Sequence, residues 1–180
     1  MTDVVRLTMV SHAMTDAMAA GRFPADEPLN DVGRRQVKPL DSQRDSRHVT
    51  GPERRARETA ELLGLRATTE PALADLDCAA WRGLTPASVD PGDLQTWLTD
   101  PARAPHGGES IVDLTRRVAA WLSALGDNAF PTVAVTHPAV VRAAILLALD
   151  APPKSFWRID IAPAGHVVMH LRNGRWTVRL

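Results

Sequence analysis

Tyrosine is absent from the 180 residues, phenylalanine occurs three times and cysteine once, and neither sign of charge dominates. The single cysteine, Cys78, excludes an internal disulfide framework and a cysteine-rich metal site, so a reducing cytoplasm is the expected compartment. Lys plus Arg and Asp plus Glu balance at 21 each, which removes the global basic field behind non-specific nucleic-acid binding and leaves only local patches. Long hydrophobic runs are also missing. The most apolar late stretch, Ala139 to Leu149, contains Arg142 and is shorter than the roughly 20 residues a membrane helix needs. The first apolar run is broken by Arg6 and lacks the basic leader of a secretory signal. No His-Glu-x-x-His pair and no acidic cluster suited to Mg²⁺ occurs, so neither metal nor cofactor is expected. No nucleic-acid or membrane partner is expected either. What remains, 44% hydrophobic and 23% charged residues, fits one globular domain over residues 1–180 with a sizeable core.

Val4 to Val10 is a near-continuous β-prone run, as in a strand buried on both faces of a parallel sheet, and His12 lies just past its end. Ligands of open α/β sheets bind at the carboxyl ends of strands, so His12 is a candidate for chemistry. Ala13 to Arg22 reads as a small flexible segment and residues 24–31 as a surface loop. Asn30 or Asp31 is placed to cap a helix over Val32 to Leu40, followed by a loop from Asp41 to Arg47. His48-Val49-Thr50 is a short strand ending at Gly51. Pro52 is placed as the first residue of a helix that runs to Gly64, with Ala56, Thr59, Ala60 and Leu63 on one face.

Arg54, Arg55 and Arg57 crowd the start of that helix, where the dipole disfavours cations unless an anion sits in front of them. Arg66 to Glu70 is a further strand candidate. Leu73 to Gly83 is a loop with two carboxylates, and the later part of Thr85 to Asp100 is helical. Residues 101–108 read as exposed turns. Ser110 with Asp113 forms a capping pair for an amphipathic helix through Gly126. Pro131 to His137 repeats the opening pattern of a β-branched run ending in a histidine, and Pro138 opens an apolar helix. Trp157 to Ala162, Gly165 to Leu171 and Arg175 to Leu180 read as three strands, the last two joined at Asn173-Gly174. His166 and His170 share a strand face and lack a third ligand, which favours a structural reading.

His12, the arginines after Gly51, Asp75 and His137 all fall at strand ends. Two histidines, an arginine and a carboxylate around one crevice suit phosphoryl transfer through a phosphohistidine. A neutral imidazole nitrogen is a competent nucleophile near pH 7. Arginine matches phosphate oxygens with its fork of donors, and a second histidine can donate to developing charge. A carboxylic acid protonates the leaving alcohol and then, as carboxylate, activates water.

These segments resemble the histidine phosphatase, or phosphoglycerate mutase-like, superfamily. Ser11-His12-Ala13-Met14-Thr15 is similar to its Arg-His-Gly-x-Thr opening, and residues 51–64 to its Ser-Pro-x-x-Arg-Ala-x-x-Thr-Ala segment. Residues 73–83 resemble its Leu-x-Glu-x-x-x-Gly-x-Trp-x-Gly loop, and residues 107–110 and 133–144 its remaining two segments. The resemblance implies a three-layer αβα sandwich with a mostly parallel central sheet. It implies His12 as nucleophile, Asp75 as proton donor, His137 as second catalytic histidine and Arg55, Ser11 and Thr15 at the phosphate.

Departures cluster at Ser11, where the family has arginine, at Gly51 for serine, at Asp75 for glutamate, and at Met18 and Ala79. Loss of one charge-assisted phosphate contact costs about 2 to 3 kcal/mol, tens- to hundreds-fold in rate. Two readings therefore stand. One is a metal-independent phosphatase of a small phosphorylated metabolite, with Arg22, Arg54, Arg57 or Arg82 supplying the charge Ser11 lacks. The other is a degenerate member that binds an anionic ligand or partner without turnover. Pocket walls are placed in Ala13 to Pro28, Trp81 to Asp100 and Arg103 to Gly108, with Arg22, Arg82 and His106 as candidate lining residues. The exposed C-terminal strand edge leaves monomer and dimer equally open.

Overall fold

A computed structural model describes residues 4–40, 45–128 and 130–179. A six-stranded sheet runs through its middle in the order β3-β2-β4-β1-β5-β6. The strands are β1 (Val5–Ser11), β2 (Arg47–Thr50), β3 (Thr68–Thr69), β4 (Thr132–Thr136), β5 (His166–Arg172) and β6 (Arg175–Arg179). Parallel pairing joins β3, β2, β4 and β1, while β5 and β6 add antiparallel strands at one edge. The sheet is therefore mixed, with its parallel part where the histidines end their strands.

Among the described residues six α-helices accompany it: α1 (Asp16–Ala19), α2 (Asp31–Gln36), α3 (Arg54–Leu62), α4 (Pro91–Thr99), α5 (Ile111–Gly126) and α6 (Pro138–Ala148). The larger core lies between one sheet face (Leu7, Met9, Ala134, Met169) and the apolar stripes of α5 and α6. Alternation along the strands sends Val10, Val133 and Val135 to the opposite face, where Ala60, Leu63 and Leu65 of the α3 region cover them. This is the expected three-layer αβα arrangement. Among the described residues no helix is long and apolar enough to cross a membrane.

Local chemistry sets several boundaries. Ser110 caps α5 by accepting from Asp113 N, and Asn30 caps α2 by accepting from Gly33 N. That helix stops at Gln36 and not Leu40, because Val37 turns extended ahead of the Lys38-Pro39 step. Residues 41–44 of the expected loop lie outside the described residues. The segment read as flexible, Ala13 to Arg22, instead holds α1, whose N-cap Thr15 accepts from Met18 N. Pro52 does not open α3. The helix begins at Arg54 with Glu53 as an extended N-cap whose side chain makes no cap hydrogen bond, because its carboxylate is engaged elsewhere. Only Thr68–Thr69 of the strand expected over Arg66 to Glu70 pairs.

The strand expected over Trp157 to Ala162 is also absent: a 3₁₀ segment, Pro153–Arg158, takes its start. Pro152 and Pro153 fix φ there, Phe156 is buried in the larger core, and Arg142 Nε donates to Ile159 O at 2.7 Å.

Candidate active site

Three parallel strands end together, β1 at Ser11-His12, β4 at Thr136-His137 and β2 at Thr50-Gly51. The first turn of α3 brings Arg55 to the same place, only 1% exposed. His12 and His137, 3% and 0% exposed, face each other edge to face with centroids 5.2 Å apart. Arg55 Nε donates to His12 Nε2 at 3.3 Å, and Arg55 Nη2 donates to Asp75 Oδ2 at 2.6 Å. Arg55 Nη1 also donates to Ala25 O and lies 3.8 Å from Glu27 Oε1. The buried cation is thus held by two carboxylates and a carbonyl.

His12 Nδ1 is 2.8 Å from the Ala13 carbonyl. A carbonyl only accepts, which assigns the ring proton to Nδ1 and leaves a lone pair on Nε2. Burial, then the charges of His137 and Arg55, push the His12 pKa down to about 3, so the ring is neutral at pH 7. Burial acts to raise the Asp75 pKa, but His137, Arg55 and His12 outweigh it and hold the carboxyl at about 2. The carboxylate sits on the guanidinium, where an incoming phosphate oxygen would bind.

Glu53 completes the cluster and was not foreseen from the sequence. Its Oε2 is 2.6 Å from His137 Nε2, and its Oε1 accepts from Asp75 N at 2.9 Å. Burial opposes its ionisation, yet the hydrogen bond and charge of His137 leave its pKa lowered. An acidic residue at a helix start reads as a dipole partner, so nothing in the sequence singled it out. Gly51 is packed tightly here: a Cβ would lie 2.7 Å from Leu73 O, 2.9 Å from His137 Nε2 and 3.2 Å from Glu53 Oε2.

The remaining candidates divide. Arg22 lines the cavity of about 640 Å³ that opens beside His12 and Asp75. Arg82 pairs with Asp77 at 2.7 Å and borders a second cavity on the other side of Asp75, which Arg55 and Glu53 also line. Ser11 is fully buried with its hydroxyl unpartnered, and lines neither cavity. Thr15 caps α1 and donates to Glu27 Oε1 at 3.4 Å. Arg54 is paired with Glu58, and Arg57 is exposed.

His106, expected at the entrance or exposed, is 3% exposed and packs 5.2 Å from the Trp81 ring, away from both cavities. Residues 103–108 therefore supply no wall. Pro138, Ala139 and Arg142 of α6 and Phe156 and Trp157 do. Among the described residues no group of three or more His, Cys, Asp and Glu could hold a metal ion.

Paired histidines, a buried arginine and carboxylates gather at the ends of parallel strands in an α/β protein, a donor set whose chemistry suits an anion beside an imidazole. The comparisons give this class its family. The model of the histidine phosphatase superfamily (branch 1) matches residues 7–180, and the chain belongs to that superfamily. A glucosyl-3-phosphoglycerate phosphatase of Mycolicibacterium vanbaalenii is 32% identical over 180 residues, covering 87% of this chain and 79% of that protein. The bifunctional protein Rv2228c of Mycobacterium tuberculosis is 30% identical over 192 residues, covering 97% of this chain, which spans 53% of that protein's length. Among solved structures, mycobacterial glucosyl-3-phosphoglycerate phosphatase Rv2419c with VO3 superposes with a TM-score of 0.82 at 27% identity, covering 98% of each chain.

Proposed function

We propose that the chain is a metal-independent phosphomonoester hydrolase that works through a phosphohistidine on His12. One observation carries this reading: His12 is held neutral with its Nε2 lone pair beside Arg55, at the wall of an open cavity. The substrate phosphate takes the place of the Asp75 carboxylate on Arg55. Displaced and brought near a dianion, Asp75 gains a proton. His12 Nε2 then bonds to phosphorus as the P–O bond to the alcohol breaks, and Asp75 delivers its proton to the leaving oxygen. Water next attacks phosphorus and gives a proton to the Asp75 carboxylate. The N–P bond breaks, and phosphate leaves a neutral His12. His137, oriented by Glu53, donates to the equatorial oxygens, whose charge Arg55 shares.

Ser11 supplies no charge at the phosphate, and Arg22 is the cation best placed among the four candidates to compensate, since it shares the cavity with His12. The chain works as one domain on a small phosphorylated metabolite, in the cytoplasm, without nucleic acid. Proton uptake with substrate sets the pH profile. The productive pair carries one proton, so kcat/KM falls about tenfold per unit above the second pKa of the ester, about 6. The His12 pKa of about 3 places the acid limb far lower.

The test is phosphatase activity near pH 6 for wild type, His12→Ala and Ser11→Arg. Turnover in wild type that vanishes in His12→Ala supports the hydrolase. Turnover that appears only with Ser11→Arg establishes the binding-only reading.

A further inference from the structure

The cavity beside His12 has a composition that bears on the substrate. Outside the reacting cluster it is walled by Met18, Phe23, Trp97, Phe156 and Trp157, with Leu76, Cys78, two alanines and two prolines between them. The rings form one surface: Trp97 and Trp157 lie 4.4 Å apart, Phe156 and Trp157 4.8 Å, and Phe23 and Trp97 5.5 Å. No serine, threonine, asparagine or glutamine lines it. The polar groups that do are poor partners for a hydroxyl that must donate. Arg22 and Arg142 only donate, and Glu27 is already bound to Ala25 N and Thr15 Oγ1 and lies close to Arg55. Arg142 lays its guanidinium over the rings of Phe156 and Trp157 at 5.6 and 5.7 Å, which uses it as part of the wall. The Trp97 indole N–H has no hydrogen-bond partner.

A polyhydroxylated alcohol entering this space leaves donors unpaired, whereas an apolar ring replaces water against aromatic faces. We propose that the alcohol portion of the substrate is an apolar, ring-bearing group, with Met18, Trp97 and Trp157 as the residues that select it. This rests on the hydrolase reading above and narrows it. The cavity is open to solvent on one side and carries aromatic faces on the other, so the discrimination proposed is one of polarity and not of size.

The experiment compares cyclohexylmethyl phosphate with glucose 6-phosphate on the full chain at pH 6. The two share a six-membered ring and a primary alkoxide leaving group, so they differ chiefly in hydroxyls. A kcat/KM ratio of about 30 or more in favour of the apolar ester is expected, about 2 kcal/mol. Met18→Gln and Trp157→Ala, both at partly exposed positions, each lower the ratio about threefold to tenfold through KM for the apolar ester. Equal rates or a preference for the sugar ester overturns the apolar-substrate proposal while leaving the hydrolase standing. Hydrolysis of neither ester, nor of an aryl phosphate, removes the hydrolase reading and this proposal with it.

Discussion

Two regions meet at Asp75, and they are built from opposite materials. On one side Arg55, Glu53, His137 and Asp75 form a largely buried polar cluster whose contacts run from 2.6 to 3.5 Å. On the other lies an apolar chamber faced by aromatic rings. In the proposed reaction the first receives the phosphoryl group and the second selects the alcohol that comes with it. His12 belongs to both, buried beside Arg55 and exposed along one edge to the chamber.

Changes on the charged side should cost orders of magnitude, and changes on the apolar side should shift preference. His12→Ala is expected to lower kcat by about 10⁴-fold or more, since it removes the group to which the phosphoryl transfers. Asp75→Asn should lower kcat about 10²- to 10⁴-fold on alkyl phosphates but far less on nitrophenyl phosphate, whose leaving group needs no proton. A loss independent of the leaving group would reassign Asp75 to positioning.

Arg55→Ala is expected to cost tens- to hundreds-fold in kcat/KM, about 2 to 3 kcal/mol. It should also lower the melting temperature, because Asp75 is left buried without its cation. Gly51→Ala sharpens the comparison further. The added Cβ would press on the Leu73 carbonyl, His137 Nε2 and the Glu53 carboxylate, so a loss of about tenfold in kcat together with a lower melting temperature is expected. Glu53→Gln should reproduce most of the loss in kcat.

The last effect is on stability and not on turnover. His12 has its pKa lowered from 6.5 to about 3 by burial and neighbouring cations. Between those values the unfolded chain binds a proton the folded one does not, so stability is full above pH 6.5 and falls as pH drops toward 3. Thermal melts of His12→Asn should show a shallower decline over that window.

Most of the charged side is legible in the sequence, and Glu53 is the exception. His12 and His137 end β-branched runs, and three arginines crowd the helix start after Gly51-Pro52; the family resemblance singles out Arg55 among the three and Asp75 in its loop. Glu53 escaped because its position has a sufficient local explanation as the acidic start of a helix. Only the tertiary approach of β4 to that start shows its carboxylate spent on His137.

The apolar chamber was hidden for a different reason. Its walls come from α1, the loop at Phe23, α4, α6 and the 3₁₀ segment Pro153–Arg158, and a tryptophan in a sequence looks the same whether it fills a core or faces a substrate. Trp81 and Trp97 make the point: both are buried and their rings touch, yet only Trp97 lines the chamber. His106 was misplaced by the same limit, since a turn-rich segment of glycine and proline gives no sign that its histidine folds under Trp81.

Ser11 belongs to neither region's cavity. The resemblance places it where an arginine belongs, and the fold buries its hydroxyl without a partner. Whether one arginine fewer still permits transfer is the central matter. The direct measurement is rapid quenching of the wild-type chain during turnover of a radiolabelled aryl phosphate, followed by peptide mapping. An acid-labile, alkali-stable phosphoryl label on the peptide containing His12, absent in His12→Ala, is the predicted result. Steady turnover with no phosphoenzyme at any time, persisting in His12→Ala, would contradict the account.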